Sequence, residues 1–222
     1  MKIFINKLVI NGTKNINKNI ELLFTKKTIK NNMDFSNSNV KAIYGPNGSG
    51  KSGIISALYI YNRLIDDANG LNDKLFSKFI SETINKDLKK LSIEIIFTVI
   101  VSEEANKVEC YKHSIELSID ENEIISIAKE EICILNNKSI SDDNLKTLIL
   151  INNGQIEKLK LKKGHKLSDD FLYLHSLNLL DKHSIANITW KLIKNDMNEY
   201  NCNTEVLNSL MSSLCLSFNI TV

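Results

Sequence analysis

The sequence contains few residues with special backbone conformations and no long apolar stretch. Its 222 residues include one proline, one tryptophan and only eight glycines. No apolar run approaches the ~20 residues of a membrane span, and polar residues interrupt every apolar stretch near the start, which argues against a signal peptide. Arg63 is the sole arginine, so an arginine finger from this chain is nearly excluded. We expect a cytoplasmic protein with no membrane segment.

Cysteine and histidine are also sparse. The four cysteines are Cys110, Cys133, Cys202 and Cys215. The four histidines are His113, His165, His175 and His183. Neither set has the spacing of metal ligands, so we predict reduced cysteines and no metal site built from histidines. The net charge of +2 gives no general attraction to nucleic acid or to a membrane surface.

The scarce residues gather in one stretch, residues 45–52, which reads Gly-Pro-Asn-Gly-Ser-Gly-Lys-Ser. It fits the phosphate-binding pattern G-x-x-x-x-G-K-[ST]. Glycines there let backbone N–H groups approach phosphate oxygens, and a following helix adds about half a positive charge at its N-terminus. Lys51 can reach the β and γ phosphates of a nucleotide, and the Ser52 hydroxyl can bind Mg²⁺.

The flanking residues suit such a loop better than an ordinary glycine-rich turn. A short buried strand is predicted before it from Val40, Ala42, Ile43 and Tyr44. A helix is predicted over residues 52–65, since Ile54, Leu58, Tyr61 and Ile65 recur at helical spacing.

The rest of the chain alternates between strand and helix patterns. Strands are predicted at 2–10 and 20–24, then a polar loop at 25–39. A core-facing helical stripe follows after a break at Asn69–Gly70: Leu71, Leu75, Phe76, Phe79, Ile80, Ile84 and Leu88. Alternating runs from 93 to 162 predict an antiparallel meander. One face of it holds Tyr111, His113, Ile115, Leu117 and Ile119, with His113 interpreted as a packing residue. Helices are predicted at 168–180, 185–200 and 206–216, and the start of a strand at 218–222.

One basic cluster ends the meander: Lys158, Lys160, Lys162, Lys163 and Lys166. Lysine on an edge strand blocks unwanted pairing with other strands, and this is the favoured interpretation. Contact with a nucleic-acid backbone is the alternative.

The loop at 45–52 resembles the form favoured by the SMC/RecF/OLD-like branch of ABC-type ATPases. Residues 10–16 are similar to the turn that ends the opening strand in that branch, with Thr13 replacing the usual aromatic residue and Lys14 at a basic position near the nucleotide. The pattern of residues 111–132 resembles ATP-binding proteins of the AAA family, AAA_15-type, often associated with phage defence. The resemblance and the loop together give this set of nucleotide-binding residues: Gly45, Pro46, Asn47, Gly48, Ser49, Gly50, Lys51, Ser52, Gly53 and Lys14.

The resemblance implies an α/β fold, an ABC-ATPase-like P-loop NTPase lobe with an antiparallel meander and a C-terminal helical segment. Its parts would be strands, P-loop and helix at 1–66, a helix and antiparallel insertion at 67–163, and a helical segment ending at a strand at 164–222. The turn at 152–156 resembles the Q-loop, with Asn153 or Gln155 in place of its glutamine.

Three elements of such ATPases are missing from the sequence: the signature motif, a Walker B run of four apolar residues ending in Asp-Glu, and a switch histidine. We therefore expect the N-terminal half of an ATPase head that binds ATP and Mg²⁺ but does not hydrolyse ATP efficiently alone. The complete head would form a homodimer acting with nucleic acid or an effector protein. An ABC transporter subunit is disfavoured, because transporters usually carry Ser-Thr after the lysine where this chain has Ser52-Gly53. A non-hydrolysing sensor or remnant is the third possibility.

Overall fold

A seven-stranded antiparallel sheet with two helices makes up the part of the chain that the structure describes. The computed structural model describes residues 2–25, 42–48, 50–66, 69–102, 107–135, 145–159 and 175–186. The strands are β1 (Lys2–Asn11), β2 (Ile20–Leu23), β3 (Lys90–Ser102), β4 (Lys107–Ile119), β5 (Ile125–Leu135), β6 (Leu145–Asn152) and β7 (Gln155–Leu159). The helices are α1 (Lys51–Asp66) and α2 (Lys74–Thr83), with a 3-10 turn at Gly70–Asn72 between them. None of these helices is long and apolar enough to cross a membrane.

The strands lie in the order β2-β1-β3-β4-β5-β6-β7, and every neighbouring pair is antiparallel. The predicted meander is confirmed from β3 to β7, where each strand pairs with the next one in the chain. Between β1 and β3 the order is different. The loop at 45–52, α1 and α2 are inserted between β2 and β3, and β1 then pairs with β3, placing Ile10 opposite Ile93.

One face of the sheet forms the core with α1. Residues at every second position of β3 are buried there, among them Ile93, Ile95 and Phe97. The helix contributes a stripe at helical spacing: Ile54, Ala57, Ile60, Tyr61, Leu64 and Ile65. The alternation in β3 and the helical spacing in α1 were both predicted from the sequence. Each fully buried aliphatic side chain contributes ~1.5–3 kcal/mol, so the apolar positions determine which face of the element turns inward.

The predicted stripe on α2 is wrong at two positions. Leu75 is 80% exposed and Leu88 is 41% exposed, whereas Phe76 and Ile80 are buried. The helix begins only at Lys74, after Asp73 accepts hydrogen bonds from the N–H groups of Leu75 and Phe76 at 2.9 and 3.2 Å. Adjacent helical residues face different directions, so Leu75 cannot share the buried face of Phe76. Leu88 lies beyond the end of α2, in the connection to β3.

The strand predicted before the glycine loop is not formed in the described residues. Residues 42–46 have no regular structure, and Ile43 and Tyr44 are 37% and 91% exposed. Val40 lies outside the described residues. A strand needs a neighbour for its backbone N–H and C=O groups, and no described strand pairs with this segment. The buried environment expected for Tyr44 is therefore a wrong prediction.

The C-terminal helix predicted at 168–180 is present at residues 175 and 176 but does not continue to residue 180. Residues 177–178 and 180–182 form turns, and Asn178 has a φ of 53°, which is incompatible with a continuing helix. This segment is held by other elements instead. The Asp181 carbonyl accepts from the Ile127 N–H at 2.7 Å, and the Lys182 carbonyl accepts from the Leu71 N–H at 3.0 Å. The remaining predicted C-terminal elements lie outside the described residues, apart from helical positions 185 and 186.

Candidate functional site

Two glycines of the loop that leads into α1, Gly48 and Gly50, differ in what surrounds them. Gly48 and Gly50 have φ values of 80° and 91°, which L residues rarely adopt. A Cβ added to Gly48 would meet nothing within 4 Å, so this side of the loop is open to a ligand. A Cβ on Gly50 would lie 2.9 Å from Ile16 Cγ1, so here the loop closes against the protein. Ser49 lies outside the described residues.

Lys51 is the first residue of α1 and turns back over the loop. Its Nζ donates to the carbonyls of Gly45 and Pro46 at 2.5 and 2.6 Å. Ser52 follows in the first helical turn and is exposed. The first N–H groups of a helix have no partner within the helix. Together with the ammonium group they form an arrangement that favours an anion such as phosphate.

A turn between β1 and β2 supports the start of α1. The Thr13 hydroxyl donates to the Gly53 carbonyl at 3.2 Å, and both residues are buried. A Cβ on Gly53 would lie 3.0 Å from Thr13 Oγ1 and 3.3 Å from Ile16 Cδ1. Gly53 therefore allows close packing beneath the loop. In the sequence, Thr13 stands out only as a departure from the usual aromatic residue, so its contact with Gly53 was not predicted.

Lys14 lies in the same turn. Its φ is 48°, its N–H donates to the Thr83 carbonyl at 2.7 Å, and its own carbonyl accepts from Asn85 Nδ2 at 2.6 Å. The backbone is thus fixed to the last residue of α2 and to Asn85 beyond it, while the side chain is exposed. A contact between Lys14 and a nucleotide stays a prediction.

The segment that resembles a Q-loop forms a tight hairpin. Asn153 and Gly154 have φ values of 46° and 74°, and Asn152 pairs with Gln155. Two such residues between paired strands define a type I′ turn, for which Asn-Gly is the preferred sequence. This hairpin joins β6 and β7, which lie four and five strand positions from β1, roughly 19–24 Å along the sheet. Hairpin formation therefore accounts for the Asn-Gly sequence, and the turn is not brought beside the turn under α1.

A chain of buried polar groups runs from α1 across the core face of the sheet. Tyr61 Oη lies 2.6 Å from His113 Nδ1, and His113 Nε2 lies 2.9 Å from Glu130 Oε1. The Ser184 hydroxyl donates to Glu130 Oε1 at 2.6 Å. All four residues are at most 1% exposed. We call Tyr61, His113, Glu130 and Ser184 the buried polar chain.

The backbone around Glu130 sets the direction of these hydrogen bonds. The N–H groups of Ile185 and Ala186 donate to Glu130 Oε2 and Oε1 at 2.8 and 3.4 Å. Since backbone N–H groups can only donate, the carboxylate accepts, and we assign the proton of His113 to Nε2. His113 Nδ1 then accepts from the Tyr61 hydroxyl. His113 is thus a hydrogen-bonded core residue, and the described residues contain no cluster of three or more His, Cys, Asp or Glu that could hold a metal.

A bulge in β5 turns Glu130 inward. Glu116 pairs with Lys129 and Leu117 pairs with Ile127, so Ala128 is an extra residue in β5. The extra residue shifts the alternation by one position. Ile125 and Ile127 face the core before the bulge, and Glu130 faces it afterwards. Sequence alternation alone does not locate such a bulge, which explains why Glu130 was missed.

The surroundings of the two described cysteines, Cys110 and Cys133, make their thiols unreactive. Both are free and buried. Burial raises the pKa of the Cys110 thiol to about 12 and, together with the Glu131 carboxylate, that of the Cys133 thiol to about 11. A thiol with such a pKa holds little nucleophilic thiolate at neutral pH.

No protein-family model matches the chain, and no curated protein matches it. Among solved structures, a chain from work on the ATP-driven dimerisation and DNA-stimulated activation of SMC ATPases is similar, with 14% identity over 93% of this chain and 90% of that chain. Its TM-score is 0.31. At that degree of likeness, the function of this chain has to be inferred from its own loop and helix.

Proposed function

We propose that this chain binds ATP with Mg²⁺ at residues 45–53, as the nucleotide-binding part of an ATPase of the SMC/RecF/OLD-like type. One observation carries the proposal. Lys51 starts α1 and holds its ammonium group at the carbonyls of Gly45 and Pro46, in the same loop in which a Cβ added to Gly48 would meet nothing within 4 Å. A cation, a glycine loop and a helix N-terminus thus come together at one exposed place.

Each group has a distinct role in this proposal. Lys51 exchanges the two loop carbonyls for β- and γ-phosphate oxygens, and the N–H groups of residues 47–51 surround the phosphates. The exposed Ser52 hydroxyl binds Mg²⁺, which when present neutralises phosphate charge. Thr13 and Gly53 hold α1 in place from below, and Lys14 lies on the turn that carries Thr13.

Binding without efficient turnover is part of the proposal. The sequence has a phosphate cradle but no Walker B run and no signature motif, and phosphoryl transfer requires a positioned water and charge neutralisation besides binding. We place the protein in the cytoplasm, in DNA maintenance or phage defence, with homodimerisation and contacts to nucleic acid or an effector protein. The second candidate is a nucleotide sensor that never hydrolyses ATP, which the absence of a Walker B run from the sequence also favours.

Nucleotide titration of matched variants tests the proposal. Lys51→Ala is expected to weaken binding of a fluorescent ATP analogue by at least about tenfold, because a charge-assisted hydrogen bond contributes ~1.5–3 kcal/mol. Lys74→Ala is the control, since Lys74 is also the first residue of a helix and is exposed. Ser52→Ala is expected to reduce the dependence of binding on Mg²⁺. Equal affinity of wild type, Lys51→Ala and Lys74→Ala would refute the site.

A further inference from the structure

The buried polar chain joins α1 to two strands and to residues 184–186. Tyr61 belongs to α1, His113 to β4 and Glu130 to β5. Replacing a buried charged group and its partners by apolar residues of similar volume is often neutral or stabilising. Stability alone is therefore a poor reason for a carboxylate that is 1% exposed. The buried polar chain instead fixes geometry, because each of its hydrogen bonds sets the relative position of two elements.

Residues 181–186 also contact the turn that follows α1. The Leu71 N–H donates to the Lys182 carbonyl at 3.0 Å, and a Cβ on Gly70 would lie 2.4 Å from that same carbonyl oxygen. On its other side the segment binds β5, where Lys182 Nζ donates to the Ile125 carbonyl at 2.7 Å. A shift of α1 thus reaches this segment by two routes, through the turn at Gly70–Asn72 and through the buried polar chain.

We infer that Tyr61, His113 and Glu130 are positioning residues that couple nucleotide binding at the start of α1 to the backbone at residues 184–186. The inference rests on the proposed nucleotide site. Tyr61 lies ten residues after Lys51, ~15 Å along the same helix, so a displacement at Lys51 moves the Tyr61 hydroxyl as part of one rigid element. His113 passes the displacement to Glu130, whose oxygens hold the N–H groups of Ile185 and Ala186.

Coupling of this kind is reciprocal. Nucleotide that fixes α1 tightens the hydrogen bonds at 185 and 186, and a partner that orders residues 184–186 raises nucleotide affinity by the same factor. Couplings between two sites in one protein commonly amount to 5–150-fold. Residues 184–186 are therefore the output of the nucleotide site.

Hydrogen exchange with matched tyrosine variants tests the inference. In wild type, ATP with Mg²⁺ is expected to slow exchange of the Ile185 and Ala186 amides by about fivefold or more. Tyr61→Phe removes one hydroxyl and leaves the loop and the contact at Gly70–Asn72 intact, so ATP still binds but the slowing is clearly smaller than in wild type. Tyr59→Phe is the control, because Tyr59 lies on the same helix and its hydroxyl contacts Arg63 outside the buried polar chain. Equal slowing in wild type and Tyr61→Phe, or none in a wild type that binds ATP, would overturn the inference.

A second measurement separates this inference from the proposed function. If wild type binds no ATP, the nucleotide site fails, and a double-mutant cycle between Tyr61→Phe and Glu130→Gln decides whether the two residues are linked. We expect their effects on the unfolding equilibrium constant to deviate from additivity by about threefold or more. Additive effects would mean that the buried polar chain transmits nothing from α1 to Glu130, whatever binds at the loop.

Discussion

Glu130→Ala should destabilise the protein far more than its surface-like appearance in the sequence suggests. The carboxylate accepts hydrogen bonds from His113, Ser184, Ile185 and Ala186, and its side chain is buried. Ala186 keeps a second acceptor, since its N–H also lies 3.2 Å from the Ser184 hydroxyl oxygen. The substitution therefore leaves the other three donors, His113, Ser184 and Ile185, without this acceptor. Each buried donor left unpaired costs ~1–3 kcal/mol.

The expected loss is about 3–5 kcal/mol, the usual cost of removing one partner from a buried ionic network. This lies in the lower part of the ~3–9 kcal/mol that three unpaired donors would cost, because the alanine site relaxes in part. Against a typical unfolding free energy of ~5–15 kcal/mol, it is a large fraction. Urea unfolding followed by far-ultraviolet circular dichroism measures the change, with an unchanged m-value required for the comparison.

Glu131→Ala is the matched control. Glu131 is the next residue of β5 and faces the opposite side, where it pairs with Lys112 at 3.9 Å and Lys129 at 4.0 Å and accepts from the Thr147 hydroxyl at 3.0 Å. Its partners are closer to solvent, so we expect a loss of at most about 1.5 kcal/mol. If Glu130→Ala costs less than about 1 kcal/mol, or no more than Glu131→Ala, the reasoning about the buried polar chain is wrong.

Two further predictions concern Asp73 and the cysteines. The pKa of Asp73 is lowered first by the backbone N–H of Phe76 and further by Arg63. The ionised Asp73 side chain therefore stabilises the folded protein at pH values above 3.8, its pKa in the unfolded chain. This stabilisation is lost as the pH falls through the lower pKa of the folded protein. Wild type should melt at a higher temperature than Asp73→Asn at neutral pH, with a gap that closes in acid; a gap independent of pH would contradict this. Iodoacetamide at pH ~8 should leave Cys110 and Cys133 unlabelled until the protein is unfolded, as peptide mass spectrometry can check, and rapid labelling of the native protein would show that these thiols are not buried.

The sequence predicted most of the meander because alternation is a local property. Every second residue of β3 from Leu91 to Val101 is apolar, and so is every second residue of β4 from Ile115 to Ile119. The strands are joined by short turns, so periodicity alone places Ile93 and Ile115 inward. The segment ending at Tyr44 has the same apolar character but no partner among the described strands, and composition does not reveal whether a strand has a neighbour. The residues of the candidate site likewise fall into those that a local pattern predicts and those that it does not. Gly50 and Lys51 follow from the motif, whereas Thr13 beneath them is brought there by tertiary packing.

The insertion of α1 and α2 between paired strands has a consequence for biosynthesis. Ile10 of β1 must wait for its partner Ile93, about 80 residues later in the chain. At translation rates of 5–20 residues per second this delay is roughly 4–16 s. During that time the glycine loop and Lys51 have left the ribosome, but the sheet on which α1 packs is incomplete. Pairing across so long a separation is also intrinsically slow. The loop is synthesised early and becomes a defined site late, so a nascent chain passes through a stage in which the apolar face of α1 is open to chaperones.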